Sequence, residues 1–566
     1  MSSRVMRHTA RSRTPLDEQS DMTHKSSHMK GTWRLIRLAL RRDRIKLPLW
    51  IFIILAMAGG SMPALTEFYA TAEQRLEYAA TSAPSVIARA FGGPVQGPTL
   101  GSIAMVELFV FTAILIAFMS TLAIVRHTRQ NEELGASELI GSAIVGRYAQ
   151  LTAALTVVIG LNVVVGLLLF AILTGSSDLP VSGVFGMTAG WVLIGVFFAG
   201  VAAITAQVAE TTRGANGMAG GTIGAFFLLR AVGDAFGTAN PDGLSASSSW
   251  PTWLSPFGWG TLVEPFSGQR WWLLGLLAVS SLICFGVAVL ILRRRDVGSG
   301  LIATRPGLAT AKQWLSSPLG LAWRLQRGVL YGWLIGYIVF GLLAGFMAVE
   351  FSDLLADNEA FLEYLGSAGG NVTDIFFSSM FNIGALIAAG YTLQALLRLR
   401  SEETNGYAES LFGAATGRIR WLLSHVTVAL VGTVLLLTTF GFLAGVSFMI
   451  AGDATASDVW RLTASTMVQI PALVAFGAFM ILLFGLLPRY VLGVTWGVFV
   501  IYLLINQLGV LLKLPQWVIN LSPFTHVPLA PSNDIQFLPL IWLLVAGFVM
   551  AAAGIIGFTR RDIYTR

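Results

Sequence analysis

Arg230 and Asp234 stand four residues apart inside an otherwise apolar stretch, so on a helix they share a face and can pair. A charge set among apolar neighbours serves either a packing ion pair or a path for a polar species, and both readings apply to this pair. Glu107 sits in a second apolar stretch, and Ser378 occupies the matching place 271 residues later. Asn506, beside Gln507, occupies the place of Arg230 at an offset of 276. The sequence offers none of the usual catalytic constellations. GGPVQGPT at 92–99 imitates a phosphate-binding loop, but Pro98 replaces the lysine that must reach the β- and γ-phosphates. There is no HExxH and no Cys/His cluster: Cys284 is the single cysteine, and His127, His425 and His526 are isolated. No catalytic residue and no metal ligand is assigned, and the chain reads as something other than an enzyme.

The elements that position these residues follow from composition. Hydrophobic residues make up 55% of the 566, charged residues 12%, and mean hydropathy is +0.71. A soluble domain is roughly 25% charged, so lipid must replace water over much of this surface. Continuous apolar runs at 47–67, 102–125, 148–173, 271–292, 421–449, 490–512 and 537–558 meet the roughly 20 residues that a membrane-crossing helix needs. The spacing predicts an all-α integral membrane protein of about twelve transmembrane helices.

The net charge of +7 is explained by where it falls. Of the 37 Lys and Arg, 31 lie in 1–46, 126–147, 210–216, 293–327, 398–420, 488–490 and 559–566. An excess of Lys and Arg marks the cytoplasmic side, so both termini are placed inside. The acidic stretch 350–374, with no Lys or Arg, is placed outside. The basic balance therefore reports topology and anionic lipid, and nucleic acid is excluded as a partner. Residues 1–30 read as a disordered cytosolic leader, with Met6, Met22 or Met29 as alternative starts.

An internal repeat gives the architecture. RHTRQNEELGASELIGSAIVGR at 126–147 is answered by RLRSEETNGYAESLFGAATGR at 398–418. At an offset of 271, Arg129, Glu132, Gly135, Glu138, Gly146 and Arg147 meet Arg400, Glu403, Gly406, Glu409, Gly417 and Arg418. Leu254-Ser-Pro-Phe257 is answered by Leu521-Ser-Pro-Phe524, and Arg294-Arg-Asp296 by Arg560-Arg-Asp562. The glycine pair Gly217 and Gly221 returns as Gly493 and Gly497, a spacing that permits close helix approach. Two parallel six-helix units follow, 31–297 and 321–566, joined by a cytosolic linker at 298–320.

The segment 126–147 is too polar for lipid and too patterned for a slack loop. It predicts a short amphipathic helix projecting from the membrane, read either as a solvated loop with local ion pairs or as a docking surface. Repetition of its charges favours the docking surface. Upstream, Arg34, Arg37, Arg41 and Arg44 form one stripe of a helix over 33–46, a basic amphipathic anchor at the inner headgroups.

The pattern Arg-x-x-Arg…Glu-Glu-x-Gly-x-x-Glu-Leu…Gly-Arg and the Leu-Ser-Pro-Phe-Gly-Trp loop at 254–259 resemble the fused, two-unit permeases of ABC-2-type transporters, of the polyketide antibiotic (tetronasin-type) exporter group. The resemblance covers 31–566. It implies a bacterial inner-membrane subunit paired with a separately encoded ATPase subunit, in two copies, on which ATP and Mg are bound. It also implies alternating access that moves small amphipathic drugs, antibiotics or lipid-like molecules outward. The segment after the second span would then couple to the ATPase, a role passing to Glu132, Glu133, Gly135, Glu138 and Arg147 and to Glu403, Gly406, Glu409 and Arg418. The second copy departs at Thr404 and Ser410, in place of Glu133 and Leu139, and after its Leu-Ser-Pro-Phe, where Thr525-His526 replaces Gly-Trp. The second and fifth spans would line the export path, with Glu107, Arg230, Asp234, Ser378 and Asn506 in reach. An ion-coupled secondary transporter built from six-plus-six repeats is the alternative.

Overall fold

Runs of twenty or more apolar residues can satisfy their backbone groups in lipid only by closing them within a helix, and helices dominate this chain. A computed structural model describes residues 29–136, 145–296, 298–302, 310, 312–356, 371–413, 416–452, 454–508 and 515–562. The chain divides into two compact units, Met1–Pro306 and Gly307–Arg566, so the division falls inside the stretch 298–320.

In the first unit α1 (Thr32–Arg42) precedes the membrane helix α2 (Lys46–Phe68). Two short helices, α3 (Ala72–Ser82) and α4 (Val86–Gly92), lead to α5 (Leu100–Glu133), then α6 (Ala149–Ser176) and α7 (Val181–Val208). α8 (Thr212–Ala235) is followed by a two-stranded hairpin, β1 (Thr238–Ala239) and β2 (Ala246–Ser247), the short α9 (Pro256–Thr261), and α10 (Trp272–Arg294). The second unit runs α11 (Pro318–Ala356), α12 (Val372–Thr404), the short α13 (Tyr407–Gly413), α14 (Arg418–Ala451), α15 (Ala456–Leu486), α16 (Val491–Leu508) and α17 (Phe537–Arg560).

Among the described residues ten helices are long and apolar enough to cross a membrane, against about twelve expected. The two that fall short are the fifth helices of the two units. α8 has the length, but six glycines, Asn216, Arg230 and Asp234 dilute its apolar text. α16 is apolar over Val491–Asn506 only.

Each unit packs its own core. α7 is the central helix of the first, packed against α5, α6 and α10. The turn Met105–Phe109 of α5 is π-helical, and the buried Trp191 indole of α7 donates to the Phe109 carbonyl at 2.9 Å. In the second unit α11 lies along α14, and α15 lies along α17. One polar clasp between second and third membrane helices recurs at offsets of 271 and 272: Asn162 Nδ2 donates to Ser120 Oγ (2.9 Å), and the Thr433 and Thr392 hydroxyls meet at 2.7 Å. Such bonds are worth about 1 kcal/mol each between membrane helices. The glycines Gly217, Gly221, Gly493 and Gly497 have nothing within 4 Å of a built Cβ, so the described residues do not use the close approach that their spacing allows.

Candidate functional site

The duplicated charged segment is held from within its own unit. α5 breaks at Thr128 and resumes as a single helical turn, Arg129–Glu133. Gly135 ends that turn at φ +71°, and its N–H donates to the Glu132 carbonyl at 3.0 Å; Gly406 repeats this at φ +76° with Glu403 at 3.1 Å. A left-handed residue at this position is what a helix C-terminus asks of glycine.

Glu132 faces inward. Its carboxylate accepts from Arg129 at 2.5 Å and from both ends of the Arg295 guanidinium at 2.5 and 2.9 Å. Arg129 and Arg295 are 1% and 3% exposed, so three charged groups are removed from water together. The second unit repeats the arrangement. Glu403, 1% exposed, accepts from Arg400 at 3.0 Å and from Arg561 at 2.5 and 3.1 Å. Arg295 and Arg561 are the middle residues of the repeated Arg-Arg-Asp landmark. Arg147 adds a second tie by donating to the carbonyls of Leu292, Arg293 and Arg295 at 3.0, 3.2 and 3.1 Å, at the end of α10. Arg418 does the same at the end of α17, its best bond being to the Arg561 carbonyl at 2.7 Å. A cation at a helix C-terminus answers both the orphan carbonyls and the dipole. The chain entering the third membrane helix and the chain leaving the second are thereby both fastened to the end of the sixth.

The other members of the predicted coupling set are placed differently. Glu133 is exposed and accepts from the Thr212 N–H at 2.7 Å, at the N-terminus of α8. Glu409 is exposed on α13. Glu138 lies outside the described residues, as do Leu139, Ile140 and Ile144, so the expected amphipathic helix is seen in part: the turn 129–133 in one unit, 398–404 and α13 in the other. The arginine stripe of α1 is exposed, while Ala39 is buried and α1 rests on α6.

Arg230 and Asp234 do pair, at 3.2 Å, with both side chains fully buried. The guanidinium also donates to the carbonyls of Ala90 and of Phe91 (3.0 Å), and Asp234 Oδ1 accepts from Ser248 at 2.6 Å and Thr252 at 2.7 Å. Arg89 of α4 adds a bond to the Asp234 carbonyl at 3.2 Å. This cluster ties α8 to α4 and to the segment after the hairpin. The phosphate-loop imitation beside it is a structural strap: the Val95 carbonyl accepts from Ala246 of β2 at 2.9 Å, and Gln96 N–H donates to Ser102 at 2.8 Å.

The remaining path residues are not brought together. Glu107 lies in the π-helical turn of α5, exposed, and accepts from the Tyr78 hydroxyl of α3 at 2.7 Å. Burial and that carboxylate push the Tyr78 phenol above its ordinary range. Its repeat partner Ser378 is buried, and donates to the Asp374 and Leu529 carbonyls at 2.8 and 3.0 Å. Asn506 of α16 donates to Asn382 of α12. Asp43, at the end of α1, was not singled out by the sequence, yet it is 2% exposed and holds Arg126 at 2.9 Å and His127 at 2.7 Å. Among the described residues no group of His, Cys, Asp and Glu is arranged to hold a metal ion.

Comparison with known proteins gives two findings. Residues 315–559 match the family described as multidrug efflux system permease Rv1217c, C-terminal domain. Over 550 residues the chain is 36% identical to the multidrug efflux system permease protein Rv1217c of Mycobacterium tuberculosis (strain ATCC 25618 / H37Rv), covering 95% of this chain and 96% of that protein.

Proposed function

The chain belongs to the family of multidrug efflux system permeases, and from that premise we propose that it is the membrane subunit of an ATP-driven exporter. A separately encoded ATPase subunit, in two copies, binds ATP and Mg and supplies the work. The cargo is a small amphipathic molecule, a drug or an antibiotic of the polyketide type, moved outward through the bacterial inner membrane with both termini of the chain in the cytosol.

The observation that supports this most is the repeated latch. Glu132 with Arg295, and Glu403 with Arg561, join the turn after the second membrane helix to the end of the sixth. Force applied to that turn is carried into the helical bundle rather than absorbed by a loop, because a buried, multiply bonded carboxylate resists displacement. Glu133, Glu138 and Glu409 form the surface that meets the ATPase. Glu132, Glu403, Arg147 and Arg418 are positioning residues that hold this surface, and Gly135 and Gly406 set its angle. Of the path residues, Glu107 is assigned to cargo. Arg230, Asp234, Ser378 and Asn506 hold the second and fifth helices in place. Two states biased by nucleotide are the minimum that such coupling needs.

The test is the double variant Glu138→Arg with Glu409→Arg, co-expressed with the ATPase subunit. Loss of co-purification and of ATP-dependent efflux, with the permease still folded, is expected. Intact complex formation and efflux would overturn the assignment.

A further inference from the structure

Trp33, Arg34 and Arg37 return in the second unit as Trp323, Arg324 and Arg327, an offset of 290. At that offset Asp43, Lys46, Leu47 and Trp50 meet Trp333, Gly336, Tyr337 and Phe340, and at 271 Ala123 meets Gln394. Each set lines a cavity beside the first and second membrane helices of its own unit, of about 280 Å³ in the first and about 430 Å³ in the second. A cavity that survives duplication at one place is a built feature of the unit.

The chemistry of the two cavities differs. Asp43, Lys46 and Arg126 bring three charged side chains to the first. Among the described residues that line the second, none is charged. Gly332 and Gly336 stand where the first unit has Arg42 and Lys46, and a Cβ at either glycine meets nothing within 4 Å, so this stretch of the groove is open. Trp333, Tyr337 and Phe340, spaced i, i+4, i+7 along α11, give it an aromatic wall.

The rings of that wall are fixed from within the unit. The Trp333 indole donates to Gln394 Oε1 of α12 at 2.8 Å and meets the Tyr391 ring edge-on at 6.2 Å. The Tyr337 hydroxyl donates to the Gly384 carbonyl at 2.6 Å, and Phe340 stacks on Phe440 at 4.6 Å. Side chains held in this way lose little freedom when a ligand arrives. Because Gln394 Oε1 is taken by Trp333, the amide N–H groups are what Gln394 can offer a ligand. Gln394 stands one helical turn before Arg398, so the groove runs from the charged end of α12 towards its middle.

We propose that the groove between α11 and α12 is a cargo site for a flat, uncharged aromatic ring system that carries a carbonyl oxygen. The ring stacks on Trp333, Tyr337 and Phe340, and the oxygen accepts from the Gln394 amide. A largely apolar pocket of this size with one placed polar group suits a drug-sized molecule, and the uncharged lining favours a neutral one. The cargo role rests on the exporter reading, but ring binding needs the chain alone and is measured without any ATPase. Absent ring binding with intact ATP-driven efflux would sink the site only, and ring binding without ATP-driven efflux would sink the exporter reading only.

The test uses the purified full-length chain in neutral detergent, with binding read by equilibrium dialysis. The probes are 9-fluorenone, fluorene (the same ring without the carbonyl) and 2-decalone (a saturated bicyclic ketone). Fluorenone should bind in preference to both. Gly336→Leu and, independently, Gly332→Leu fill the groove and should raise the fluorenone Kd about tenfold or more. Gln394→Leu should raise it about three- to tenfold and leave fluorene binding unchanged. The first-unit control Lys46→Leu should change it less than about twofold. Equal melting temperatures confirm that the variants keep the fold. Equal binding of fluorenone and 2-decalone, no effect of either glycine variant, or equal weakening by Lys46→Leu would overturn the proposal. So would a Gly336→Leu variant that binds fluorenone as the parent does and loses only co-purified phospholipid, since the groove would then hold an acyl chain.

Discussion

Glu132 and Arg295, 163 residues apart in sequence, meet in a two-bonded ion pair at 2.5 and 2.9 Å, and Glu403 and Arg561 repeat it in the second unit. The pair joins two stretches that the chain leaves on the cytosolic side in the reading above. Removing the carboxylate leaves two arginines, buried in the first unit and partly buried in the second, without their shared carboxylate. Glu132→Ala and Glu403→Ala should each cost about 3–5 kcal/mol, seen as a clear fall in melting temperature of the purified chain. An unchanged melting temperature would mean that the latch does not hold the segment.

Gly135 and Gly406 give a cleaner test of the turn itself. Nothing lies within 4 Å of a Cβ at either position, so substitution adds backbone strain without a clash. Gly406→Ala should cost about 1–2 kcal/mol, and Gly406→Asn less, because asparagine tolerates the left-handed region. Equal melting temperatures for the alanine variant and the parent would contradict the turn geometry.

Arg230 and Asp234 should behave as a structural pair. Arg230→Ala alone leaves the Asp234 carboxylate buried without its paired counter-charge, and should cost about 3–5 kcal/mol. Adding Asp234→Ala should recover about 1 kcal/mol or more relative to the sum of the single losses. Efflux should then follow the amount of folded protein. A variant that folds fully but loses one cargo selectively would return the pair to the export path.

Much of this was legible in the sequence, for identifiable reasons. The long apolar runs named the membrane helices, because lipid allows little else over that length. The repeat was visible because charged residues outside lipid keep their spacing: Arg129 with Glu132, and Arg400 with Glu403, are readable as i, i+3 pairs. In sequence, Arg295 and Arg561 read only as part of a repeated Arg-Arg-Asp landmark. That they close on Glu132 and Glu403 depends on tertiary packing, although their joint repetition was the signal that could have linked them. Glu107 and Ser378 share a repeat position and nothing else, since Tyr78 of α3 meets one and the Leu529–Ser532 stretch meets the other. Sequence position does not carry a partner's identity. Two fifth helices were expected to read as spans, but glycine, Arg230 and Asp234 in α8 and the short apolar run of α16 put them below the length or hydropathy of the rest.

Asn506 and Asn382 tie the fifth helix of the second unit to its second helix. Asn506→Leu should lower stability by about 0.6–2 kcal/mol and leave the melting transition a single step. If the variant were as stable as the parent, α16 would be held by apolar packing alone.

Reconstitution of the purified chain in liposomes, with and without its ATPase subunit, tests the central claim most directly. Uptake of a fluorescent amphipathic drug is followed under ATP or under an imposed ion gradient. Transport only when both the ATPase subunit and ATP are present is the predicted result. Transport by the chain alone on an ion gradient would contradict it.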